Sequence, residues 1–325
     1  MSRQRILLTG ASGFIGRHVL RRCRQAGHQV TGVDLRPPPP QDPPAAASIV
    51  GHFASSELLA AVSAGRFDTV IHHAAITDTR VTASPHLTRT NTQDAFRLAT
   101  ASRTGRTRFI YASSHSVYGQ LKHRRPIAES ADRDPTACSG PLNPYARSKL
   151  DLDALMTESG SINTPWFGLR YTNVFGAEET DKGPMASILT QLLRAAASRG
   201  HVSVYRDTLT AARDYLPVET VASTITLLLD TAIPSGVYNL GSGHPISFAE
   251  ILESCAELLS RKCGRTLEVS LIQNRDPAAY QYLTWADTTK LDDALPERPH
   301  SPREELRRRI QELFNTFYSL TPSTK

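Results

Sequence analysis

A tyrosine and a lysine that could share proton chemistry lie in the stretch "NPYARSKLDLD". Tyr145 and Lys149 have the i, i+4 spacing that places two side chains on one face of a helix. A lysine ammonium favours the phenolate form of a nearby tyrosine, which predicts a lowered pKa for Tyr145 and a general base for a substrate hydroxyl. Ser114, in "FIYASSHSVYG", follows a predicted strand, where its hydroxyl would hydrogen-bond the same substrate oxygen. The tyrosine–lysine spacing is common on helices, so the prediction depends on the elements around it.

The glycine spacing in "ILLTGASGFIGRHVL" is a second chemical feature. Gly10, Gly13 and Gly16 lie between a predicted strand and a predicted helix, where a turn without Cβ atoms lets backbone N–H groups approach a pyrophosphate. Asp34 closes the next predicted strand, 18 residues after Gly16, and would accept hydrogen bonds from the adenosine ribose. This carboxylate favours NAD, whereas Arg36 would suit the 2′-phosphate of NADP. The sequence therefore predicts NAD, with NADP as the alternative.

The elements that would position these residues alternate along the first half of the chain. Apolar runs typical of buried parallel strands are separated by helical patterns. The predicted strands are 5–9, 29–34, 69–71, 108–112 and 166–170, and the predicted helices are 14–26, 55–64, 86–103 and 144–159. This alternation predicts an α/β fold, a Rossmann-type doubly wound parallel sheet. The proline-rich stretch at 36–48 predicts an exposed loop.

The pattern changes after residue 170 and predicts a smaller C-terminal α/β lobe that covers the substrate. Helices are predicted at 185–198 and 247–259, and strands at 202–205 and 267–272. We predict a dinucleotide-binding domain of residues 1–172 plus about 214–242, and a substrate-binding lobe of 173–213 plus about 243–325.

The composition of the 325-residue chain, with 40% hydrophobic and 21% charged residues, is that of an ordinary globular protein. Without a long apolar run or a signal peptide, we expect a cytoplasmic protein with no membrane partner. The net charge of +6 is spread along the chain without interleaved aromatic residues, which argues against nucleic acid and suits small anions. The four cysteines form no C-x-x-C pair and predict reduced, structural thiols, and no metal site is predicted.

Seven motifs, taken in chain order, resemble the extended short-chain dehydrogenase/reductase family over nearly the whole chain. They are "TGASGFIG", "HHAA", "TNTQ", "SSHSVYG", "YARSK", "LRYTNVFG" and "RDYLPVETVA". The resemblance implies NAD(P), a catalytic set of Ser114, Tyr145 and Lys149, a nucleotide-diphospho-sugar substrate, and a homodimer formed by the helices near 86–103 and 144–159. The implied cofactor contacts are Gly10, Ser12, Gly13, Phe14, Ile15, Gly16, Asp34, Leu35, Arg36, His52, Phe53, His73, Ala74, Ala75, Asn91, Tyr145, Lys149 and Val174.

Departures from the family patterns reduce the number of reactions that the sequence allows. The family's dehydratases carry Asp-Glu where this chain has His115-Ser116, so the carboxylate pair that eliminates water is missing and an epimerase or a keto-reductase remains. "NVFGAEETDKGPMAS" and "AYQYLTWAD" are similar to segments of the 6-epimerases of nucleotide-linked heptoses, which act through a transient ketone. The alternatives are a nucleotide-hexose 4-epimerase, a keto-reductase, or a non-enzymatic NAD(P)-binding regulator. The implied substrate contacts, with Arg213 at the diphosphate, are Thr77, Ser114, His115, Asn173, Lys182, Tyr205, Arg213 and Tyr280.

Lys182, in "TDKGPMAS", is a predicted second catalytic acid/base. The two C6 epimers direct the reacting hydroxyl to different sides, and Tyr145 can reach only one orientation within about 3 Å. A lysine partly desolvated near a positive nicotinamide would have a lowered pKa, and Gly183-Pro184 would fix its approach. A solvated loop lysine and a plain cofactor contact are the alternative interpretations.

Overall fold

The computed structural model describes residues 2–40, 45–79, 84–159 and 164–320. The strands of these residues are β1 (Arg5–Thr9), β2 (Gln29–Asp34), β3 (Ala47–Val50), β4 (Thr69–His72), β5 (Arg108–Ser114), β6 (Trp166–Tyr171), β7 (Asn173–Phe175), β8 (His201–Tyr205), β9 (Ala212–Pro217), β10 (Gly236–Leu240), β11 (Pro245–Ser247) and β12 (Glu268–Ile272). The α-helices are α1 (Phe14–Gln25), α2 (Ser56–Ser63), α3 (Pro85–Thr88), α4 (Ala95–Thr104), α5 (Pro144–Glu158), α6 (Ile188–Arg199), α7 (Val218–Leu228), α8 (Phe248–Cys263), α9 (Thr289–Ala294) and α10 (Arg303–Ser319).

The main sheet has seven strands in the spatial order β10-β6-β5-β4-β1-β2-β3. Every neighbouring pair is parallel, so all strands end at the same edge of the sheet. The strand order reverses between β1 and β4, and ligands of doubly wound sheets bind in the crevice at that point. The predicted Rossmann-type doubly wound sheet is confirmed.

Two strands of this sheet lie outside the predicted set. β3 begins at Ala47, so the predicted loop at 36–48 ends earlier than expected, and residues 41–44 of that loop lie outside the described residues. β3 is exposed at the sheet edge, and its register with β2 rather than an apolar pattern defines it. β10 comes from the second half of the chain and pairs with β6.

The remaining elements build a second apolar core. β11, β9 and β7 form a three-stranded sheet, and β12 pairs in parallel with β8. Helices α6, α8 and α10 bury Leu193, Cys255 and Phe314 against one another. No helix was predicted at α10, although its buried residues Leu306, Ile310 and Leu313 have the spacing of an amphipathic helix. The division into two domains stays a prediction.

The predicted helix at 86–103 is interrupted in the structure, and the predicted helix at 185–198 begins three residues later. Residues 85–104 form α3, a π-helical turn at Arg89–Asp94, and α4, so the first predicted helix is interrupted. The second helix begins at Ile188 because Ser187 caps it, accepting a 3.3 Å hydrogen bond from the Thr190 N–H.

Three of the four cysteine thiols are buried. Cys23, Cys138 and Cys255 lie inside, whereas Cys263 is exposed, and all four are unpaired. Burial raises the pKa of Cys23 to about 12. Across the described residues, none of the helices has the length and apolar character needed to cross a bilayer.

Candidate active site

The glycine-rich turn after β1 forms a tight cradle at the N-terminus of α1. Gly10 adopts a left-handed φ of +71°, and a Cβ on it would lie 2.7 Å from the Ala74 nitrogen. A Cβ on Gly16 would lie 2.0 Å from the Gly10 carbonyl oxygen, so only glycine fits there. No side chain caps α1 at Gly13, which leaves the first N–H groups of the helix available to an anion. The turn thus fits the pyrophosphate of a dinucleotide.

Asp34 lies at the carboxyl end of β2, beside this turn. Its carboxylate accepts hydrogen bonds from the backbone N–H groups of Ser12, at 3.0 Å, and Arg36, at 3.1 Å. The Ser12 hydroxyl donates in turn to the Arg36 carbonyl, at 3.0 Å. Leu35 is largely exposed. The structure therefore brings together three predicted cofactor contacts, Ser12, Asp34 and Arg36, beside the glycine-rich turn.

The pair His52-Phe53 follows β3. The Phe53 side chain is buried against the ring of His72, with a centroid distance of 4.6 Å, and belongs to the core. The His52 ring stacks on Phe53 at 4.6 Å and keeps 37% of its side chain exposed. Of the two predicted contacts, His52 is the accessible one.

Asn91, on the π-helical turn, holds the loop that follows β4. Its side chain accepts a 2.8 Å hydrogen bond from the Ile76 N–H and donates a 2.9 Å bond to the Ile76 carbonyl. The same amide donates to the Ser148 hydroxyl on α5, at 3.1 Å. Asn91 therefore joins this loop, which carries the predicted residues Ala74 and Ala75, to the helix that carries Tyr145.

The remaining predicted residues of this loop differ in their surroundings. His73 shares a 2.9 Å hydrogen bond with the Tyr171 hydroxyl, and burial lowers the pKa of His73 to about 3. Its ring is neutral near pH 7. Thr77, predicted to contact substrate, is exposed near the end of the loop.

Ser114, Tyr145 and Lys149 meet where β5 ends and α5 begins. Asn143 caps α5, accepting a 2.8 Å hydrogen bond from the Ala146 N–H, and the helix places the Lys149 Nζ 5.9 Å from the centroid of the Tyr145 ring. The Ser114 hydroxyl lies 2.8 Å from the Ser116 hydroxyl and interacts with the phenol of Tyr145. The predicted catalytic set is brought together by two neighbouring elements.

The electrostatics of this set differ from the prediction. Burial raises the pKa of Tyr145, and the Ser114 hydroxyl only partly opposes that rise. Lys149 donates to the Ala112 carbonyl, at 2.7 Å, and burial lowers the pKa of Lys149 to about 8, with Asp153 opposing the change. The predicted lowering of the Tyr145 pKa is therefore wrong for this arrangement, because desolvation of the phenol outweighs the stabilisation of its phenolate.

A buried ion pair beneath the catalytic set was not predicted. Asp153 accepts hydrogen bonds from the Tyr111 hydroxyl at 3.0 Å, the Ser113 hydroxyl at 2.9 Å and the Arg170 Nε at 2.8 Å. These bonds fasten α5 to β5 and β6, one helical turn beyond Lys149. The signal in the sequence was a charged residue, Arg170, at the end of an otherwise apolar buried strand.

His115, predicted to contact substrate, has only 1% of its surface exposed. Its ring lies edge-on to Tyr118 with a centroid distance of 4.9 Å, and burial lowers the pKa of His115 to about 3. Its ring is thus neutral near pH 7, and neither of its nitrogens has a hydrogen-bond partner among the described residues. The contact between His115 and substrate stays a prediction.

Two adjacent glutamates hold the segment that carries Lys182. Glu178 accepts hydrogen bonds from both terminal nitrogens of Arg21 on α1, at 2.7 and 2.9 Å. Glu179 is fully buried and accepts a 3.1 Å bond from the Lys182 Nζ. The same Nζ lies 5.6 Å from the centroid of the Phe14 ring, at the start of α1. Lys182 therefore lies beside the glycine-rich turn, and neither glutamate was predicted.

Arg213 is the predicted ligand of the substrate diphosphate. It is 7% exposed on β9, and its Nη1 has no hydrogen-bond partner among the described residues. Its guanidinium lies 5.3 Å from the centroid of the Tyr280 ring, and Tyr205 contacts Tyr280 edge-on at 5.9 Å. Burial lowers the pKa of Arg213. A buried arginine with an unused donor fits an anionic ligand.

Two predicted residues lie on β7, at the edge of the three-stranded sheet. Asn173 accepts a 2.9 Å hydrogen bond from the Thr284 hydroxyl. Val174 packs partly buried against the core of the main sheet. Asn173 is thereby linked to the stretch that also carries Tyr280.

Comparisons with known proteins agree with this geometry. A model of the NAD dependent epimerase/dehydratase family matches residues 6–241. The ADP-L-glycero-D-manno-heptose-6-epimerase of Pseudomonas paraeruginosa is 30% identical over 89% of this chain and 92% of its own length.

Two solved structures are similar along almost their whole length. The structure of MoeE5 in complex with UDP-glucuronic acid and NAD has 27% identity and a TM-score of 0.78, and covers 96% of this chain and 99% of that one. The UDP-glucose 4-epimerase of Thermus thermophilus in complex with NAD has 25% identity and a TM-score of 0.76, over 96% and 99%.

The glycine turn, Asp34 and the Ser114, Tyr145 and Lys149 set, together with the family match, define the class. The chain belongs to the NAD dependent epimerase/dehydratase family. It is an NAD-dependent enzyme, as the sequence predicted. The cradle around Gly10 and Gly16 and the carboxylate of Asp34 are the residues that would hold NAD.

Proposed function

We propose that this chain is a nucleotide-diphospho-sugar epimerase that inverts C6 of a nucleotide-linked heptose. One observation carries the proposal: two groups able to move a proton, Tyr145 and Lys182, lie on different elements, one at the carboxyl end of β5 and the other beside the cofactor cradle. Tyr145 comes from α5, and Lys182 comes from the segment fastened to α1. The name of the similar Pseudomonas protein supports the choice of heptose.

When bound, NAD would supply the acceptor for a hydride from the sugar carbon and the donor for its return. The protein must then remove a proton from the hydroxyl on that carbon and return one after the ketone has turned over. Because C6 must present the opposite face of the ketone to the cofactor before the hydride returns, its oxygen changes sides, and proton transfer is needed at two positions.

Tyr145 serves the first position. Ser114 interacts with its phenol and would hold the substrate oxygen beside it. Lys149 donates to the Ala112 carbonyl and keeps its cation 5.9 Å from the centroid of the Tyr145 ring, so it would stabilise the phenolate that forms in the reaction. Burial keeps the phenol protonated in the resting protein, since it raises the pKa of Tyr145.

Lys182 serves the second position. Its side chain is 36% exposed, so its ammonium is accessible to a ligand while it is paired with Glu179. A protonated lysine can donate to the ketone oxygen when that oxygen points away from Tyr145. A plain contact to a cofactor phosphate is the alternative role of this lysine.

Arg213 and the tyrosines around it would hold the diphosphate. The free Nη1 of Arg213 provides a charge-assisted hydrogen bond in a buried setting. Tyr280 packs on the guanidinium and limits its orientations. Because the protein would hold the substrate by its diphosphate, the sugar could rotate and present the other face of its ketone to the cofactor.

The test is to incubate the purified protein with ADP-linked heptoses without added cofactor and to follow C6 by NMR in deuterated water. We expect the 6-epimer to form without deuterium at C6, because the hydride stays on the bound cofactor. In a parallel incubation with added NADH, consumption of the NADH without formation of an epimer would identify a reductase instead. UDP-glucose is the parallel substrate, because the similar Thermus protein is a UDP-glucose 4-epimerase.

Two further properties belong to the proposal. Mass spectrometry of the nucleotide released on denaturation decides between NAD, which Asp34 favours, and NADP, which Arg36 would favour. We also propose a homodimer that packs α4 and α5 of each copy together, as in the family that the sequence resembles. Light scattering of the purified protein tests this directly.

A further inference from the structure

A buried carboxylate outside the predicted catalytic set, that of Glu179, lies three residues before Lys182. Glu179 has no exposed surface, although it belongs to an irregular 3₁₀-helical stretch, Ala177–Met185. Besides Lys182, its donors are the Ser187 N–H at 2.7 Å, the Ser187 hydroxyl at 2.7 Å and the Thr190 hydroxyl at 2.6 Å. All four partners donate, which suits an ionised carboxylate.

These bonds connect the Lys182 ammonium, through the Glu179 carboxylate, to the start of α6. Ser187 caps α6 and Thr190 belongs to its first turn, so the carboxylate is anchored to a helix rather than to a loose segment. One oxygen, Oε1, accepts both from the Ser187 N–H and from the Lys182 Nζ. The ammonium is thus held between this oxygen and the face of the Phe14 ring, 5.6 Å from its centroid.

The neighbouring Glu178 is a natural comparison. It has the same charge one residue earlier, but it pairs with Arg21 and Arg17 on α1 instead of Lys182. The two glutamates therefore fasten the segment in opposite directions, one to α1 and the other to α6. Of the two, Glu179 is the one that contacts the lysine.

We propose that Glu179 is a positioning residue for Lys182. Its anchored carboxylate holds the ammonium along the Phe14 ring, directed toward the cofactor cradle. Full burial of Glu179 strengthens the attraction between the two charges. The proposal rests on the proposed role of Lys182 in the reaction, and it extends that role to a residue that need not touch the substrate.

The first test needs no substrate. Trace acetylation with acetic anhydride at pH 8, read by mass spectrometry, reports the reactivity of each lysine. The chain has six, and the exposed Lys122 serves as the internal reference. In Glu179→Gln we expect Lys182 to react at least about threefold faster than in wild type, because the amine loses its carboxylate. Glu178→Gln is the matched control and should leave the Lys182 rate within about twofold.

An unchanged Lys182 rate in Glu179→Gln would overturn the proposal, and so would an equal rise in both variants, which would mean that the segment merely loosens. Should Glu179→Gln fail to fold, Glu179→Asp replaces it. Aspartate keeps the charge but withdraws it by one methylene, so a faster Lys182 rate supports the proposal and an unchanged rate contradicts it.

The second test is kinetic. Glu179→Gln should lower kcat about tenfold with KM within about twofold, and should lower it no further in a Lys182→Met background. Equal losses in both backgrounds would show a purely structural role and refute the proposal. Because the labelling does not depend on turnover, an absence of epimerase activity would defeat the proposed function while the Glu179–Lys182 coupling is still decided.

Discussion

Lys149 donates a 2.7 Å hydrogen bond to the main-chain carbonyl of Ala112, two residues before Ser114 on the same strand. This bond fastens α5 to the end of β5, and Tyr145, one helical turn earlier, meets Ser114 as a consequence. The lysine therefore sets the geometry of the catalytic set through the backbone, in addition to any effect of its charge.

Tyr145→Phe should lower kcat by about 10²- to 10⁴-fold, the usual contribution of a positioned acid/base, with little change in KM. The ring and its packing are kept, so bound NAD should remain at the wild-type level. Tyr238→Phe is the control, because the Tyr238 hydroxyl donates to the Pro234 carbonyl, away from the site. Single-turnover rates from both epimers provide the measurement. Equal rates in wild type and Tyr145→Phe would remove the tyrosine from the mechanism.

Lys149 should make stability depend on pH above neutrality in the cofactor-free protein. Burial lowers its pKa from 10.5 to about 8, so between these values the unfolded chain binds a proton that the folded chain has released. The free energy of unfolding contributed by this group therefore rises with pH across that window, by at most about 1.4 kcal/mol per pH unit.

Urea unfolding of wild type and Lys149→Met at pH 7.5 and 9.5 isolates this contribution, because the other titrating groups are common to both proteins. We expect the stability of wild type to increase relative to the variant between these two pH values. A constant difference would show that Lys149 titrates normally.

Gly16→Ala should abolish NAD binding. Its Cβ would lie 2.0 Å from the Gly10 carbonyl oxygen, and neither backbone can move without opening the turn. Gly236→Ala is the matched control, because its Cβ would meet its nearest atom at 3.5 Å, an ordinary contact. Calorimetric titration with NAD should give wild-type affinity for the control only. Retained affinity in Gly16→Ala would argue against the proposed cradle.

Arg213→Gln should raise KM about 30- to 100-fold, as expected for the loss of a charge-assisted hydrogen bond worth about 2–3 kcal/mol, and should change kcat much less. Arg213→Lys, which keeps the charge but not the planar donor pair, should recover only part of the affinity. Binding of ADP by each variant, measured by calorimetry, locates the effect at the diphosphate. A kcat loss with unchanged ADP affinity would contradict that assignment.

The sequence predicted the main sheet well because its strands are local apolar patterns. β1 and β2 have the predicted bounds, and the helix of Tyr145 differs only by Ser159 at its end. β3 was missed because its four residues are exposed and its strand conformation depends on pairing with β2. A short edge strand has no periodic signal of its own.

The site was predicted less completely than the fold. Residue types and spacings identified Ser114, Tyr145 and Lys149, which the structure brings together. The partner of Lys182 is only three residues away, yet no pattern distinguished the buried Glu179 from its neighbour Glu178. Likewise, Arg170 and Asp153 meet only through tertiary packing, so their ion pair could not be predicted from spacing.

The π-helical turn at Arg89–Asp94 limits how this protein can be made more thermostable. A π turn is an α-helix with one extra residue, and it keeps Asn91 within bonding distance of Ile76 and Ser148. Deleting Thr90 would allow a regular helix, but it would rotate the residues on its two sides by about 100° relative to each other. A design that replaced this turn with a regular α-helix would lose the hydrogen bonds by which Asn91 holds the loop after β4. The irregular turn is therefore a position where selection for heat resistance and selection for activity pull in opposite directions.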